Sequence, residues 1–163
     1  MSLFRIAAAA CLAATPALAQ TTYSADLSGP DGTDHGTVTL EPTASGLMIV
    51  TLDLQSVPAG EHGVHLHETG DCSAEDFSSA GGHLADGRDH GVLVETGPHP
   101  GDLPNVMVGD DGNAEVTFFD AFLTEDLVTD ADGTAFIVHA GADDYESQPS
   151  GDAGARIACG VFE

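Results

Sequence analysis

The sequence predicts an all-β domain, a β-sandwich or flattened barrel of about eight short antiparallel strands. Segments in which apolar and polar residues alternate recur along the chain, and Gly, Asp and Pro turns separate them. The 20 Gly and 8 Pro suit a fold with many turns. No helical period lasts three turns, and only Leu123 to Val128 is predicted to form a single turn of helix.

The clearest strand is Gly46 to Val57, where Val50, Leu52 and Leu54 alternate with polar residues. The other predicted strands are Tyr23 to Leu27, His35 to Leu40, Gly63 to Glu68, Val92 to Val94, Ala114 to Phe119, Thr134 to Ala140 and Arg156 to Phe162.

Two long loops interrupt these strands, Thr69 to Asn105 and Gly141 to Ala155. Loops of this length in a small domain are functional or disordered. The first holds three histidines, which favours a function.

The first 19 residues are predicted to be a signal peptide, and residues 20–163 a single domain. A basic start that ends at Arg5 precedes the apolar stretch Ile6 to Leu18, and Ala17-Leu18-Ala19 has the small-x-small form of a cleavage site. The apolar run is too short for a membrane helix. A lipoprotein signal ending at Cys11 is the other alternative. We therefore expect export to the periplasm.

The charge balance excludes two classes of partner. The chain has 27 Asp and Glu against three Arg and no Lys, a formal net charge of −24. Nucleic acid and anionic membranes both require clustered cations, so neither is an expected partner. Hydrophobic residues make up 42% of the chain, which suffices for a core.

Two cysteines, Cys72 and Cys159, remain after cleavage of the signal peptide. In an exported chain, two distant cysteines favour one structural disulfide. Two free thiols or thiolate metal ligands are the alternatives.

The chain has eight histidines, of which His65 and His67 share one face of a predicted strand and can bind one metal ion together. His62 falls on the opposite face, so we predict a buried structural residue that hydrogen-bonds to the backbone. Taken alone, a His-x-His pair is more typical of surface coincidence.

A second set lies in the first long loop: His83, His90, His99 and Asp102 provide three imidazoles and a carboxylate, a suitable tetrahedral zinc set. A solvated His- and Asp-rich loop is the alternative. His139 ends an apolar strand, where a lone histidine is more typically just hydrogen-bonded.

Together these motifs resemble the copper–zinc superoxide dismutases over essentially the whole mature chain. Cys72, directly after Asp71, resembles the bacterial periplasmic branch of the family. The matching motifs are Gly60-x-His62-Gly63-x-His65-x-His67-Glu68-x-Gly70-Asp71, Ser79-Ala80-Gly81-Gly82-His83, His90-Gly91, His99-x-Gly101-Asp102-Leu103, Val138-His139-x-x-Ala142-Asp143-Asp144 and Gly154-Ala155-Arg156-Ile157-Ala158-Cys159-Gly160-Val161.

The resemblance implies a Greek-key fold and disproportionation of superoxide to O₂ and H₂O₂ by Cu(II)/Cu(I) cycling, with one copper and one zinc per chain. It makes Arg156 the active-site arginine, Asp143 the carboxylate that links His65 to His90, and Cys72–Cys159 the family disulfide. His83 would bridge the metals and serve catalysis. The implied copper ligands are His65, His67, His83 and His139, and the implied zinc ligands are His83, His90, His99 and Asp102.

Three features depart from the family pattern. Leu84-Ala85-Asp86 replaces the usual Phe/Leu-Asn-Pro, the spacing from His83 to His90 is one residue short, and the acidic loop has no Lys to attract superoxide. A non-catalytic copper- and zinc-binding periplasmic protein of the same fold is the alternative function, and a zinc-only structural domain is a further one. The resemblance allows a monomer or a homodimer.

Overall fold

The computed structural model describes residues 21–163. The predicted signal peptide, including Cys11, lies outside the described residues and stays a prediction. No helix within residues 21–163 is long and apolar enough to cross a membrane.

The described chain is built of nine strands and one short helix, so the all-β prediction is confirmed. The elements are β1 (Tyr23–Ser28), β2 (Asp34–Pro42), β3 (Met48–Leu54), β4 (Gly60–His62), β5 (Val64–His67), β6 (Val106–Val108), β7 (Ala114–Asp120), α1 (Glu125–Val128), β8 (Ala135–His139) and β9 (Arg156–Val161). A 3₁₀ turn at Ser78–Ala80 lies within the first long loop.

The predicted strand Val92 to Val94 is wrong, because those residues form turns and two of them, Val92 and Leu93, are exposed. A segment of three residues is too short to show the alternation of buried and exposed side chains that identifies a strand. The strands β4 and β6 were not predicted, since each has three residues and neither is long enough to show alternation.

Seven antiparallel strands form a curled sheet in the order β5-β8-β9-β1-β2-β3-β7, and β4 pairs with β6 in a small second sheet. The run β9-β1-β2-β3 places a strand that returns from far along the chain beside the first of three consecutive strands, which is the Greek-key arrangement.

The strands β5, β8 and β9 are covered on both faces, and this arrangement positions the histidines. Their inner face contributes Val64, Leu66 and Phe136 to the main core. On the outer face Phe77 and Ala80 of the first long loop pack over Ala135, Ile137 and Cys159.

The predicted disulfide is confirmed and fastens this loop to the sheet. Cys72 and Cys159 are bonded with their Cα atoms 5.9 Å apart, at a sequence separation of 87.

Candidate metal centre

Strand parity places two imidazoles under the first long loop. Val64 and Leu66 face the core, so His65 and His67 face the opposite side of β5, where both are essentially fully buried.

Backbone hydrogen bonds to β5 bring in the ends of the histidine-rich stretch of this loop. The Leu66 N–H donates to the Gly101 carbonyl at 2.9 Å, and the Leu84 N–H donates to the Leu66 carbonyl at 2.9 Å. The loop therefore adds short bridges beside the strand. These bridges pair His67 with His83 and His65 with Asp102.

His139 reaches the same place from the end of β8. The pairing of β8 with β9 shifts register between Val138 and His139, so that His139 lies opposite Arg156. A register shift of this kind redirects the side chains that follow it.

In each of these histidines one ring nitrogen is hydrogen-bonded and the other has no hydrogen-bond partner. His67 Nδ1 lies 3.1 Å from the Gly81 carbonyl, and His139 Nδ1 lies 3.2 Å from the Gly154 carbonyl. A carbonyl only accepts, so each Nδ1 carries the hydrogen and each Nε2 keeps a lone pair. The buried ring nitrogens without a hydrogen-bond partner are His65 Nδ1, His67 Nε2, His83 Nε2 and His139 Nε2.

These four residues offer nitrogens that lie within 4.8 Å of one another, and we call them the copper group. A buried polar atom without a partner is costly, and a metal ion would satisfy all four at once. Four imidazoles suit copper, so the donor set fits that metal.

The second set surrounds one carboxylate oxygen, Asp102 Oδ1. His83, His90 and His99 place their Nδ1 atoms 2.9, 3.1 and 3.1 Å from it. Three imidazoles and a carboxylate fit zinc, and we call these four residues the zinc group. His65 also offers a nitrogen within 4.8 Å of the atoms of His83, His90 and Asp102, but its Nδ1 belongs to the copper group.

His83 belongs to both groups. Its Nδ1 faces Asp102, and its Nε2 is one of the four unpartnered nitrogens. Its ring centroid lies between 3.9 and 6.0 Å from those of the other five histidines of the two groups. The short spacing to His90 does not separate the rings, whose centroids are 5.1 Å apart.

The electrostatics of the two groups differ. Burial lowers the pKa of His67 to about 2, of His83 to about 4 and of His139 to about 3, and neighbouring imidazoles add to the effect. Burial alone would also lower the pKa of His90. Hydrogen bonds to Asp102 and Asp143 outweigh that effect and raise the pKa to about 9.

The two carboxylates stay ionised. Burial alone would raise the pKa of Asp102, but hydrogen bonds from His83, His90 and His99 hold it well below its usual range. Burial would likewise raise the pKa of Asp143, and the bonds from His65 and His90 lower it instead.

Asp143 links the groups, because its Oδ2 lies 2.9 Å from His65 Nε2 and its Oδ1 lies 3.0 Å from His90 Nε2. Outer carboxylates of this kind orient imidazole ligands. Asn105 holds Asp143 in turn: the Asp143 N–H donates to Asn105 Oδ1 and Asn105 Nδ2 donates to the Asp143 carbonyl, both at 2.8 Å. Sequence reasoning missed Asn105, because an asparagine that pairs with backbone leaves no motif.

Gly151 also escaped the sequence reasoning. Its φ is +65°, and a Cβ there would collide with the Asp143 carboxylate and the His90 ring. The acidic loop can therefore approach the linked carboxylate and imidazole this closely only with glycine at that position.

Arg156 lies beside the copper group, opposite His139, and is partly exposed. Its Nη1 donates to the Phe77 carbonyl at 2.5 Å, and its Nη2 donates to the Gly81 carbonyl at 2.6 Å. Among the residues that the structure describes, the other arginine is Arg88, which lies 4.4 Å above the ring of Phe122, and there is no lysine.

His62 lies outside both groups and is buried. Its Nδ1 is 2.7 Å from the His139 carbonyl and its Nε2 is 2.8 Å from the Pro58 carbonyl. His35 is also outside them, with Nδ1 3.3 Å from the Gln55 carbonyl.

Comparison with known proteins places this geometry in a family. Superoxide dismutase [Cu-Zn] 2 of Aquifex aeolicus is 40% identical over 144 residues, which cover 85% of this chain and 84% of that protein. Superoxide dismutase [Cu-Zn] of Caulobacter vibrioides is 40% identical over 141 residues, which cover 82% of this chain and 80% of that protein.

Solved structures agree with the sequence comparison. The crystal structure of a SOD-like protein from Bacillus subtilis superposes with a TM-score of 0.79 at 36% identity, over 85% of this chain and 96% of that one. The family model described as copper/zinc superoxide dismutase matches residues 34–162. The chain belongs to the copper/zinc superoxide dismutase family.

Proposed function

We propose that the protein is a superoxide dismutase, which converts two superoxide anions and two protons to O₂ and H₂O₂. The observation that carries this proposal is the set of four buried, unpartnered imidazole nitrogens beside a partly exposed arginine. A metal store needs the nitrogens, but it has no use for a guanidinium at their edge.

In this proposal His65, His67, His83 and His139 hold copper, and His83, His90, His99 and Asp102 hold zinc. When bound, copper supplies one-electron exchange between its +2 and +1 states, and zinc supplies fixed positive charge without redox chemistry.

The chain's own residues bind the anion and handle the proton. Arg156 offers charge-assisted hydrogen bonds to an anion beside the copper group. His83 Nε2 is the atom at which the chain can hold a proton and deliver it to the reduced substrate, since Nδ1 is directed at the zinc group. Asp143 fixes His65 and His90 so that neither ring turns away.

We also propose a periplasmic location. The predicted signal peptide supports it, and the Cys72–Cys159 disulfide suits an oxidising compartment. Fractionation of expressing bacteria, with detection of a chain that starts at Gln20, tests this part separately.

The function is tested by loading the mature protein with copper and zinc, and then measuring metal content, the copper EPR spectrum and superoxide decay. We expect one copper and one zinc per chain and rapid decay. A protein that binds both metals but leaves superoxide decay unchanged would instead be a non-catalytic metal-binding member of the fold.

A further inference from the structure

Gln148 lies in the acidic loop Gly141 to Ala155, and its side chain contacts His90 of the zinc group, which lies in the first long loop. The His90 N–H donates to Gln148 Oε1 at 3.0 Å, and Gln148 Nε2 donates to the His90 carbonyl at 2.8 Å. One side-chain amide therefore satisfies both backbone groups of a buried histidine, as a strand partner would.

His90 has no strand neighbour, because it lies in the irregular part of the first long loop. Its ring is held by Asp102 at Nδ1 and by Asp143 at Nε2. Its backbone is held by Gln148. The imidazole is joined to the backbone through two rotatable bonds, so a shift of the backbone displaces Nδ1 directly.

The two loops also meet at other points. The Leu93 N–H donates to the Tyr145 carbonyl at 3.2 Å, and the Asn105 N–H donates to the Tyr145 hydroxyl oxygen at 2.7 Å. These contacts join the loops around the zinc group. Within this set, Gln148 is the residue whose side chain contacts the backbone of a proposed ligand.

We propose that Gln148 is a positioning residue for zinc, which fixes His90 so that Nδ1 stays directed at Asp102 Oδ1. Because Gln148 belongs to the acidic loop, zinc binding and the ordering of that loop become one coupled event. This inference rests on the zinc ligands proposed above. Coupling is reciprocal, so loosening the loop weakens zinc, and removing zinc loosens the loop.

The test compares three variants of the mature protein. Gln148→Glu keeps the acceptor for the His90 N–H but sets a carboxylate against the His90 carbonyl, and Gln148→Ala removes both contacts. Gln55→Glu is the control for added charge, since it makes the same amide-to-carboxylate change just after β3, where the side chain contacts Asp34 and not a residue of either group. Zinc affinity is measured by chelator competition, and ligand geometry by the absorption spectrum of cobalt in the zinc group.

We expect zinc affinity to fall about 10- to 100-fold in both Gln148 variants, the range seen when the outer partners of metal ligands are changed. The cobalt spectrum should change in both, while Gln55→Glu matches wild type. Hydrogen exchange adds a readout of coupling: zinc should slow exchange of residues 141–155 in wild type and lose that effect in Gln148→Ala.

Wild-type zinc affinity and cobalt spectrum in both Gln148 variants would overturn the inference and leave the proposed function intact. Failure of wild type to bind zinc or cobalt would overturn the inference together with the proposed zinc ligands. The folding control is the copper EPR spectrum recorded without zinc. Agreement between the zinc-free variant and zinc-free wild type shows that the variant has folded, because three of the four residues of the copper group lie on β5 and β8.

Discussion

Arg156 and His67 share one acceptor, the carbonyl oxygen of Gly81, which lies 2.6 Å from Arg156 Nη2 and 3.1 Å from His67 Nδ1. One peptide group thus sets both the position of the guanidinium and the orientation of a proposed copper ligand. Gly81 directly follows the 3₁₀ turn Ser78–Ala80, whose loop the disulfide ties to β9. The same loop segment therefore fixes the positions of the arginine and the imidazole, and the disulfide anchors that segment to the sheet.

Replacing Arg156 should lower activity without removing copper. Arg156→Lys keeps the charge, but an ammonium lacks the planar fork that reaches two carbonyls. Hydrogen bonds to a charged group contribute about 1.5–3 kcal/mol, so kcat/KM for superoxide should fall about 10- to 100-fold. Stopped-flow measurement of superoxide decay tests this, with copper content as the control. An Arg156→Gln variant as fast as wild type would contradict it.

Breaking the disulfide should loosen the loop that carries the Gly81 carbonyl. The loop-entropy argument assigns roughly 4–5 kcal/mol to a ring of this size, and removal of a native disulfide commonly costs about 2–5 kcal/mol. Cys72→Ser should therefore lower the free energy of unfolding by a few kcal/mol and reduce kcat/KM as the Gly81 carbonyl loses its anchor. Denaturant titration and thiol counting check the result. Two reactive thiols in the native, oxidised wild type would refute the prediction.

The fold could be predicted from sequence where a strand buries one face. In β3, Met48, Val50, Leu52 and Leu54 are buried and alternate with more exposed residues, so the period of two is visible. In β5 and β8 every residue is buried because a loop covers the outer face. There the sequence shows strand propensity but not what the second face packs against.

The ligands of the metal centre also fall into two sets, those that the strand pattern predicts and those that loop contacts position. Parity alone puts His65 and His67 on one face of β5. The positions of His83 and Asp102 depend on backbone bonds between the loop and Leu66. No side-chain pattern encodes these bonds, and only the family resemblance predicts the group to which each residue belongs. Amide contacts such as that of Asn105 with Asp143 leave no trace in a single sequence.

His83→Ala should separate the two metal groups. The variant removes the ring that faces Asp102 with Nδ1 and the copper group with Nε2. General acid–base groups contribute about 10²- to 10⁴-fold to rate, so superoxide decay should slow by at least about 100-fold. EPR of the copper-loaded variant should no longer respond to added zinc. Fast turnover, or a spectrum that still depends on zinc, would argue against a shared His83.

Metal loading should release protons from the zinc group and not from His67 and His139. At pH 7 these two are neutral, because burial lowers their pKa values to about 2 and about 3. His90 is protonated, since hydrogen bonds to Asp102 and Asp143 outweigh burial and raise its pKa to about 9. Zinc must displace that proton. Apparent zinc affinity should therefore rise up to about tenfold per pH unit and level off above about pH 9.

Calorimetry in two buffers of different ionisation enthalpy measures the protons released when each metal is added alone to the metal-free protein, where His83 binds through one nitrogen and keeps the hydrogen on the other. Equal release on copper and on zinc loading would contradict this assignment of charge.

The charge of the chain sets the final prediction, which concerns the approach of superoxide. After removal of residues 1–19 the chain would carry two Arg against 27 Asp and Glu, and such a body repels an anion over long range. Arg156 and the bound metals attract it only at short range. Because the Debye length is about 10 Å at 0.1 M salt, added salt screens the distant repulsion first.

The rate of superoxide decay should therefore stay flat or rise between low and moderate salt, whereas an enzyme with lysine-lined access would slow down. Glu146→Lys places a cation in the exposed acidic loop and should raise the rate at low salt and make it fall as salt is added. Glu115→Lys is the matched control, because it makes the same charge change on β7, at the other end of the sheet order from β5. Stopped-flow rates over a salt series compare the three proteins. A wild-type rate that falls steeply with salt would mean that local attraction by Arg156 and the metals outweighs the repulsion of the acidic body.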